Sequence, residues 1–377
     1  MSSCDELYNR LMQTVQPLVR VSNRKHLANW MWIVVGILQA NAIALSGIAT
    51  HLPQATLAES RVTLIRRWLM NFHVDVWAFY QPLLAKVLAG WEATSVYIVL
   101  DGVMVFGNRW QVFRLSLVHG CRAIPLVWTV VPGKGLTQVE RLEAMLTQAA
   151  QFLRPRVNHI VFLADRGFRD CDGAQLCQKL RWDYVIRVQS NTCVTWLTGR
   201  TCHITELNVK PAQRRYFQNV WLTQAAKWCA NLTVTWSAGD DQHPPEILAV
   251  ISSQPAGRAR LREYALRMQI EQSFRDDKSS GFDLAHPRLQ HADRVERLLL
   301  AVAVATLWCH ELGEHVLAEG EETRREIDPG FARELSLFQL GLRWLHRCLS
   351  VTLARLPPFR ARLSPLKLSP VIKPAKS

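Results

Sequence analysis

The sequence lacks the cysteine patterns of a secreted or zinc-stabilised protein. Its nine cysteines are an odd number, and they form no C-x-x-C pair and no Cys/His cluster at zinc-binding spacing. The N-terminus, MSSCDELYNRLMQ, has acidic residues where a signal peptide would carry a basic segment. We therefore expect reduced, mostly buried thiols in a cytoplasmic protein.

The sequence also lacks a long uninterrupted hydrophobic run. The stretch between Lys25 and Glu59 contains no Asp, Glu, Lys or Arg, but polar residues such as Asn29, Gln39 and Asn41 divide its apolar segments. A membrane-spanning helix needs about 20 predominantly apolar residues. The stretch is therefore predicted to be a buried helix, and no membrane-spanning segment is expected.

Positive charge is the unusual quantity in the composition. The 377 residues are 49% hydrophobic and 20% charged, which is typical of a folded globular protein and excludes an intrinsically disordered or collagen-like chain. The 45 Lys and Arg residues exceed the 31 Asp and Glu residues, which gives a net charge of +14. Such an excess indicates a polyanionic partner, with nucleic acid as the first candidate and a membrane surface as the second.

The middle of the sequence predicts a ribonuclease-H-like α/β sheet. SVYIVLDG (95–102) is a buried strand that ends in Asp101, 109–118 and 123–131 form a hairpin, and HIVFLADRG (159–167) is a strand that ends in Asp165. A helix precedes this fourth strand, and a further helix and strand follow it. In that topology the first and fourth strands are neighbours, so we expect Asp101 and Asp165 to lie close together.

The remaining segments complete a six-part organisation. The N-terminal segment is equally compatible with a DNA-binding unit and with an ordinary helical subdomain, and the tail is predicted to be flexible because it is rich in proline and basic residues. The predicted parts are a helical N-terminal DNA-binding region (1–94), the first part of the catalytic core (95–190), a mostly β insertion (191–253), the completion of the core with a signature helix (254–300), a C-terminal helical region (301–354) and a basic Pro-rich tail (355–377).

The signature helix, predicted over 257–278, carries an unusual group of side chains. At about 100° per residue, Tyr264, Arg267, Glu271 and Lys278 share one face. An acid among an aromatic hydroxyl and two cations suits a metal-bound phosphate, although helix geometry alone favours a solvated charged face. Asp276 and Asp277 point away from this face and are predicted to be exposed.

Convergence of Asp101, Asp165 and Glu271 would favour a metal site. Three carboxylates in one place repel one another strongly unless cations occupy the site. Mg²⁺ prefers oxygen ligands, and two such ions about 4 Å apart can act on the attacking and leaving oxygens of a phosphodiester. We therefore expect two Mg²⁺ ions, with Mn²⁺ as a substitute.

These motifs resemble those of the DDE transposases of bacterial insertion sequences, in the cut-and-paste group with the Y-x2-R-x3-E-x6-K signature. The signature is complete in YALRMQIEQSFRDDK, the first acid lies in VLDG and the second in LADRGF. The 105 residues between Asp165 and Glu271 leave room for the β insertion that this group carries. The resemblance covers most of the chain.

The resemblance implies a mechanism and a set of partners. The residues matching the three family carboxylates, Asp101, Asp165 and Glu271, would bind the metal ions, and Tyr264, Arg267 and Lys278 would hold DNA phosphate. Water would nick the transferred strand at the element end, and the freed 3′-hydroxyl would attack the opposite strand to leave a hairpin. The hairpin would then be reopened, and the 3′-hydroxyl would be joined to target DNA. The partners would be double-stranded DNA, as inverted-repeat ends and as target, and a second copy of the chain in a homodimeric synaptic complex.

One departure from the family pattern concerns the hairpin step. Relatives often place a base-stacking tryptophan at the start of the strand before the signature helix, where this sequence has Glu246 in PPEILAVISS. Trp236, or else Trp196 or Trp221, could stack a flipped base instead, or these residues could belong to the core of the insertion.

Two alternative functions remain compatible with the sequence. One is a metal-dependent nuclease on the same ribonuclease-H-like scaffold that cuts DNA without strand transfer. The other is a catalytically silent DNA-binding derivative of such an enzyme.

Overall fold

The computed structural model describes residues 2–135, 138–167, 170–223, 228–237, 239, 244–276, 282 and 289–365. These residues form a mixed α/β fold that combines a large mixed sheet with flanking helices. The fold divides into two compact units. Unit 1 contains Met1–Glu92, Gly102–Gly135 and Gln269–Pro365, and unit 2 contains Ala93–Asp101 and Leu136–Met268.

The described residues form ten strands in one sheet. They are β1 Ser95–Val105, β2 Trp110–His119, β3 Arg122–Pro132, β4 His159–Ala164, β5 Asp183–Val188, β6 Cys193–Thr195, β7 Thr201–His203, β8 Arg215–Leu222, β9 Trp228–Trp236 and β10 Ile247–Ser252. The strand order is β3-β2-β1-β4-β5-β10-β9-β8-β6-β7. The first five positions of this order confirm the predicted ribonuclease-H-like topology.

The described residues also form twelve α-helices. They are α1 Ser3–Leu18, α2 Arg24–Ala40, α3 Leu45–Thr50, α4 Ala58–Leu69, α5 Val76–Val87, α6 Val139–Leu153, α7 Asp170–Leu180, α8 Arg258–Ala265, α9 Met268–Arg275, α10 Ala292–Glu319, α11 Glu321–Arg325 and α12 Leu337–Ser350. Local caps define several of their starts. Ser2 and Asp5 form a capping box at α1, and the side chains of Asp75 and Ser336 cap α5 and α12.

In unit 2, the strands β1, β4 and β5 are parallel neighbours. Ser95–Leu100 of β1 pair with His159–Ala164 of β4, which pairs in turn with β5. Their nearly continuous apolar sequences are typical of strands covered on both faces. The prediction that the first and fourth strands lie side by side is confirmed.

Residues 191–253 continue the sheet of unit 2. The last strand of this segment, β10, pairs antiparallel with β5 on one side and with β9 on the other. β8 follows β9, and the short strands β6 and β7 complete the series. The segment therefore extends the existing ladder of backbone hydrogen bonds.

In unit 1, the antiparallel strands β2 and β3 form the predicted hairpin. Side chains from two helices engage backbone N–H groups of β3. Ala123 donates to the Ser273 hydroxyl at 2.7 Å, and Val130 donates to the Glu296 carboxylate at 3.0 Å. Helix α9 supplies Ser273 and helix α10 supplies Glu296.

The core of unit 1 is built around the 28-residue helix α10, which packs against α2, α12 and β3. The crossing of α10 and α12 is unusually close at two glycines. A Cβ on Gly341 would lie 1.7 Å from the Cys309 carbonyl oxygen, and a Cβ on Gly313 would lie 2.1 Å from the Leu337 carbonyl oxygen. Only glycine allows the two backbones to approach this closely.

Residues 356–364, here called the C-terminal strap, are packed in unit 1. Leu356, Phe359, Ala361 and Leu363 are buried. The Glu311 carboxylate accepts hydrogen bonds from the backbone N–H groups of residues 360 and 362, and the Glu314 carboxylate accepts from that of residue 364. The prediction of a flexible tail is therefore wrong for this part, because its apolar side chains find a core. Residues 366–377 lie outside the described residues.

The predicted signature helix is interrupted. α8 ends at Ala265 and α9 begins at Met268, and Leu266 and Arg267 form a turn between them. Their N–H groups donate to the carbonyls of Glu263 and Tyr264, which is the i to i−3 pattern of a tightened helical turn. A single straight helix over 257–278 is thus not formed.

Within the described part of the chain, every helix is too short or too polar to span a bilayer.

Candidate active site

The register of β1 and β4 brings two sequence-predicted acids together in unit 2. Leu100 and Ala164 form the last pair of this parallel ladder, and Asp101 and Asp165 directly follow them. Strand β4 ends at Ala164, whereas β1 continues to Val105. Asp101 therefore lies inside its strand, whereas the sequence predicts it at the end of the strand.

Asp101 is paired with the arginine of the signature. The Arg267 guanidinium donates from Nη1 to Asp101 Oδ2 at 3.0 Å. The Asp101 side chain is 18% exposed and that of Arg267 is 8% exposed, so this charge pair is largely shielded from water. A shielded pair of this kind is held in a fixed geometry and is costly to break.

Asp165 is held mainly by neutral donors. Its Oδ1 accepts hydrogen bonds from the Tyr264 hydroxyl at 3.2 Å and from the backbone N–H of Arg166 at 2.8 Å. Burial raises the pKa of Tyr264 to about 12, so this phenol is a neutral hydrogen-bond donor around pH 7. Tyr264 and Arg267 thus contact one strand acid each.

Helix α8 is anchored to β1 by a second tyrosine. The Tyr97 hydroxyl donates to Glu263 at 3.3 Å, and the Glu263 carboxylate is 3.1 Å from Arg260. The pKa of Glu263 is raised, mainly because burial disfavours its charged form. This contact fixes the helix that carries Tyr264 against the strand that carries Asp101.

Arg187 and Glu246 lie next to Asp165, and the sequence did not identify either as a site residue. Arg187 on β5 bonds to the Glu246 carboxylate at 2.5 Å, and its Nη1 lies 3.9 Å from Asp165. Arg166 also donates to Glu246, at 3.2 Å. The signal for Arg187 is a lone cation inside the buried strand DYVIRV, but the sequence does not reveal its partner.

The other two residues of the signature are Glu271 and Lys278. Glu271 lies in the first turn of α9, in unit 1, where a carboxylate is favoured by the helix dipole. Its convergence with the two strand acids stays a prediction. Lys278 lies outside the described residues, as does Asp277.

Asp276 is buried, whereas the sequence predicts that it is exposed. It is 4% exposed, and it forms an ion pair with Arg122 and accepts a hydrogen bond from Gln339 at 3.0 Å. The prediction of an exposed carboxylate is wrong because Arg122 and Gln339, both distant in sequence, provide partners for the buried charge.

The aromatic candidates of the insertion occupy different environments. Trp236 is partly buried at the end of β9, and its indole N–H donates to the Val209 carbonyl at 2.5 Å. Trp196 packs edge-on against Phe217 with ring centroids 5.6 Å apart, whereas Trp221 is 37% exposed. Base stacking by any of them stays a prediction.

The two strand acids have the ligand type that suits a hard divalent ion. Asp101 and Asp165 offer carboxylate oxygens, which Mg²⁺ and Mn²⁺ accept as ligands. The Arg267 guanidinium bonds to Asp101, and the Tyr264 hydroxyl bonds to Asp165. Among the described residues, no three or more His, Cys, Asp or Glu side chains are grouped so as to hold a metal ion.

Part of the chain matches one known protein family. Residues 138–308 match a family model described as a transposase DDE domain. That range includes Asp165, Tyr264, Arg267 and Glu271 and begins after Asp101. No curated protein sequence matches the chain.

Among solved structures, the fold is similar to that in a cryo-EM structure of the piggyBac transposase synaptic complex with hairpin DNA. The sequence identity is 11%, the TM-score is 0.44, and the alignment covers 89% of this chain and 73% of the other. The match to the family model covers residues 138–308, which is less than half of the chain.

Proposed function

We propose that this protein is the transposase of a bacterial insertion sequence, which it moves by cut-and-paste transposition with Asp101, Asp165 and Glu271 as catalytic carboxylates. One observation carries the proposal. Asp101 and Asp165 follow paired residues of neighbouring parallel strands, and Arg267 and Tyr264 of the signature each contact one of them. The DDE-domain match over residues 138–308 supports the same reaction class.

In this proposal, the three carboxylates hold two Mg²⁺ ions, for which Mn²⁺ substitutes. The ions supply Lewis-acid activation of the attacking oxygen and charge neutralisation at the leaving oxygen. The chain contributes the ligands and fixes their direction, because Asp101 is held within a strand and Asp165 Oδ1 is bound by two donors. Tyr264, Arg267 and Lys278 hold DNA phosphate near the cleaved bond.

The reaction has a hydrolytic and a transesterification stage. Water breaks one P–O bond at each element end and leaves a free 3′-hydroxyl. That hydroxyl attacks a phosphodiester of the opposite strand, where one P–O bond forms to close a hairpin and one breaks to release the flanking DNA with a 3′-hydroxyl. Trp236 is the stacking residue for a flipped base in this step, and hydrolysis of one P–O bond then reopens the hairpin. The 3′-hydroxyl finally attacks a phosphodiester of target DNA, where one P–O bond forms and one breaks.

The proposed partners follow from this scheme. Double-stranded DNA is bound as inverted-repeat ends and as target, and two copies of the chain pair the two ends in a synaptic complex. The net charge of +14 favours DNA binding that weakens steeply as salt rises. The reaction would take place on the bacterial nucleoid, in the cytoplasm.

An assay with pre-cut and uncut element ends tests the proposal. The full-length protein is incubated with Mg²⁺, labelled ends and a supercoiled plasmid. We expect cleavage of the uncut ends and joining of the pre-cut 3′-hydroxyl ends to the plasmid. Asp101→Asn, Asp165→Asn and Glu271→Gln are each expected to abolish both activities while the ends are still bound.

The matched control is Glu143→Gln, which removes an exposed carboxylate from helix α6 of unit 2. It is expected to behave as the unaltered protein. Cleavage without joining would instead identify a nuclease, and binding without either activity would identify a silent DNA-binding derivative. Retained cleavage by Glu271→Gln would overturn the assignment of the third carboxylate.

A further inference from the structure

Glu246 connects two guanidinium groups beside Asp165. Its Oε1 accepts a hydrogen bond from Arg187 at 2.5 Å, and its Oε2 accepts one from Arg166 at 3.2 Å. Its backbone is fixed as well, because Glu246 N–H donates to the Ser237 hydroxyl and its carbonyl accepts from the Ser237 N–H. The carboxylate is thus held at the start of β10 with both oxygens occupied.

The distances around Arg187 are unequal. The bond to Glu246 is short and charge-assisted, whereas the separation of 3.9 Å from Asp165 exceeds hydrogen-bond distance. The side chain is only 13% exposed, so water screens its charge weakly. Arg187 therefore lies near Asp165, but its hydrogen bond is formed with Glu246.

The two strand acids consequently differ in their partners. Asp101 is in direct contact with the Arg267 guanidinium, whereas Asp165 Oδ1 accepts from a phenol and a backbone N–H. A carboxylate without a tightly bound cation is the better ligand for a divalent ion, because no competing charge has to be displaced.

We propose that Glu246 is a positioning residue that holds Arg187 away from Asp165 and so keeps the Asp165 carboxylate open to a divalent ion. This inference rests on the proposed function, since it takes Asp165 as a metal ligand. Without the Glu246 charge, the nearest carboxylate for Arg187 is Asp165. An ion pair between them would compete with the metal for the same oxygens.

Metal affinity in the absence of DNA is the measurement that isolates this role. Mn²⁺ is titrated into the full-length protein, and free Mn²⁺ is followed by electron paramagnetic resonance. Glu246→Gln is expected to raise the Kd for Mn²⁺ about fivefold. Arg187→Met is expected to leave the affinity unchanged or to strengthen it, because the competing cation is lost.

The double variant separates positioning from simple loss of charge. If Glu246 acts through Arg187, adding Glu246→Gln to Arg187→Met changes the Kd by less than about twofold. An equal weakening in both backgrounds would show that Glu246 acts only as a distant negative charge, and would overturn the inference. No weakening by Glu246→Gln in the unaltered background would overturn it as well.

A charge-conserving variant gives an independent arm. Glu246→Asp keeps the negative charge but shortens the side chain, so Arg187 is held less well and Mn²⁺ binding is expected to weaken. Affinity equal to that of the unaltered protein would count against the inference. Thermal unfolding in EDTA verifies that each variant is folded, and Glu143→Gln controls for the loss of one carboxylate.

Asp165→Asn distinguishes the failure of this inference from that of the proposed site. If Asp165→Asn binds Mn²⁺ as tightly as the unaltered protein, Asp165 is not a metal ligand and the proposed site fails. If it weakens Mn²⁺ binding while the Glu246 variants do not, the site stands and only the role of Glu246 is wrong.

Discussion

The guanidinium of Arg267 lies 3.0 Å from the carboxylate of Asp101, and both side chains are largely shielded from solvent. Arg267, a cation of the signature segment, therefore compensates the charge of the first strand acid. The turn between α8 and α9 places Arg267 at this point. The same charge pair links the stability of the metal-free protein to the properties of its site.

Arg267→Met is expected to destabilise the metal-free protein by about 2 kcal/mol, because it removes a shielded, charge-assisted hydrogen bond to Asp101. Urea unfolding in EDTA measures this loss. Addition of Mn²⁺ is expected to recover part of it, since a bound cation replaces the lost positive charge. Arg267→Lys keeps the charge without the planar guanidinium, so its free energy of unfolding is expected to lie between that of Arg267→Met and that of the unaltered protein. Equal stability of Arg267→Met and the unaltered protein in EDTA would contradict this account of the pair.

The C-terminal strap contributes to the core of unit 1, and Phe359 is its largest buried side chain. Phe359 is 1% exposed and contacts the Trp308 ring, with centroids 5.7 Å apart. Phe359→Ala is expected to lower the free energy of unfolding by about 3 to 5 kcal/mol. Phe331→Ala is the matched control, because Phe331 is 94% exposed, and its effect is expected to stay within about 0.5 kcal/mol. Comparable losses for the two variants in urea unfolding would show that the strap is not packed.

Docking of the strap is expected to depend on pH through Glu311. Burial raises the pKa of this carboxyl to about 7, although it accepts hydrogen bonds from the backbone N–H groups of Arg360 and Arg362. Because the folded-state pKa is higher than the unfolded one, the folded protein binds the proton more tightly. The resulting stabilisation is complete below about pH 4.5 and is lost as the pH rises through about 7.

Glu311→Gln removes this titration while it keeps a neutral acceptor. The free energy of unfolding of the unaltered protein, relative to this variant, is therefore expected to decline between about pH 5 and about pH 8. Thermal unfolding over this range measures the difference, and Glu143→Gln controls for the loss of a carboxylate elsewhere. A difference that stays constant or grows with pH would contradict the raised pKa of Glu311.

The order of the first five strands and the adjacency of the two strand acids could be predicted from the sequence. Short buried strands such as VYIVL and HIVFLA are bounded by turns and acids, and the topology of the ribonuclease-H-like sheet then makes β1 and β4 neighbours. This part depends on local patterns and on one rule of connectivity. The hairpin of β2 and β3 follows from equally local signals.

The network around Glu246 and the helix interruption could not be predicted in this way. Arg187 and Glu246 meet because β10 pairs antiparallel with β5, and no local pattern specifies that register. The residues around Arg267 are good helix formers, and neither Gly nor Pro marks the turn there. The ion pair of Arg267 with Asp101 is a tertiary contact, and tertiary contacts override helix propensity.

The side chains that engage β3 also bear on aggregation. A terminal strand of a sheet exposes a row of backbone donors and acceptors to which the strand of another molecule can add. On β3, the hydroxyl of Ser273 and the carboxylate of Glu296 occupy the N–H groups of Ala123 and Val130, so an incoming strand would find these donors taken. At the other end of the strand order, β7 is only three residues long and offers a short template. Among the described strands, the two at the ends of the order therefore offer limited templates for intermolecular β-pairing.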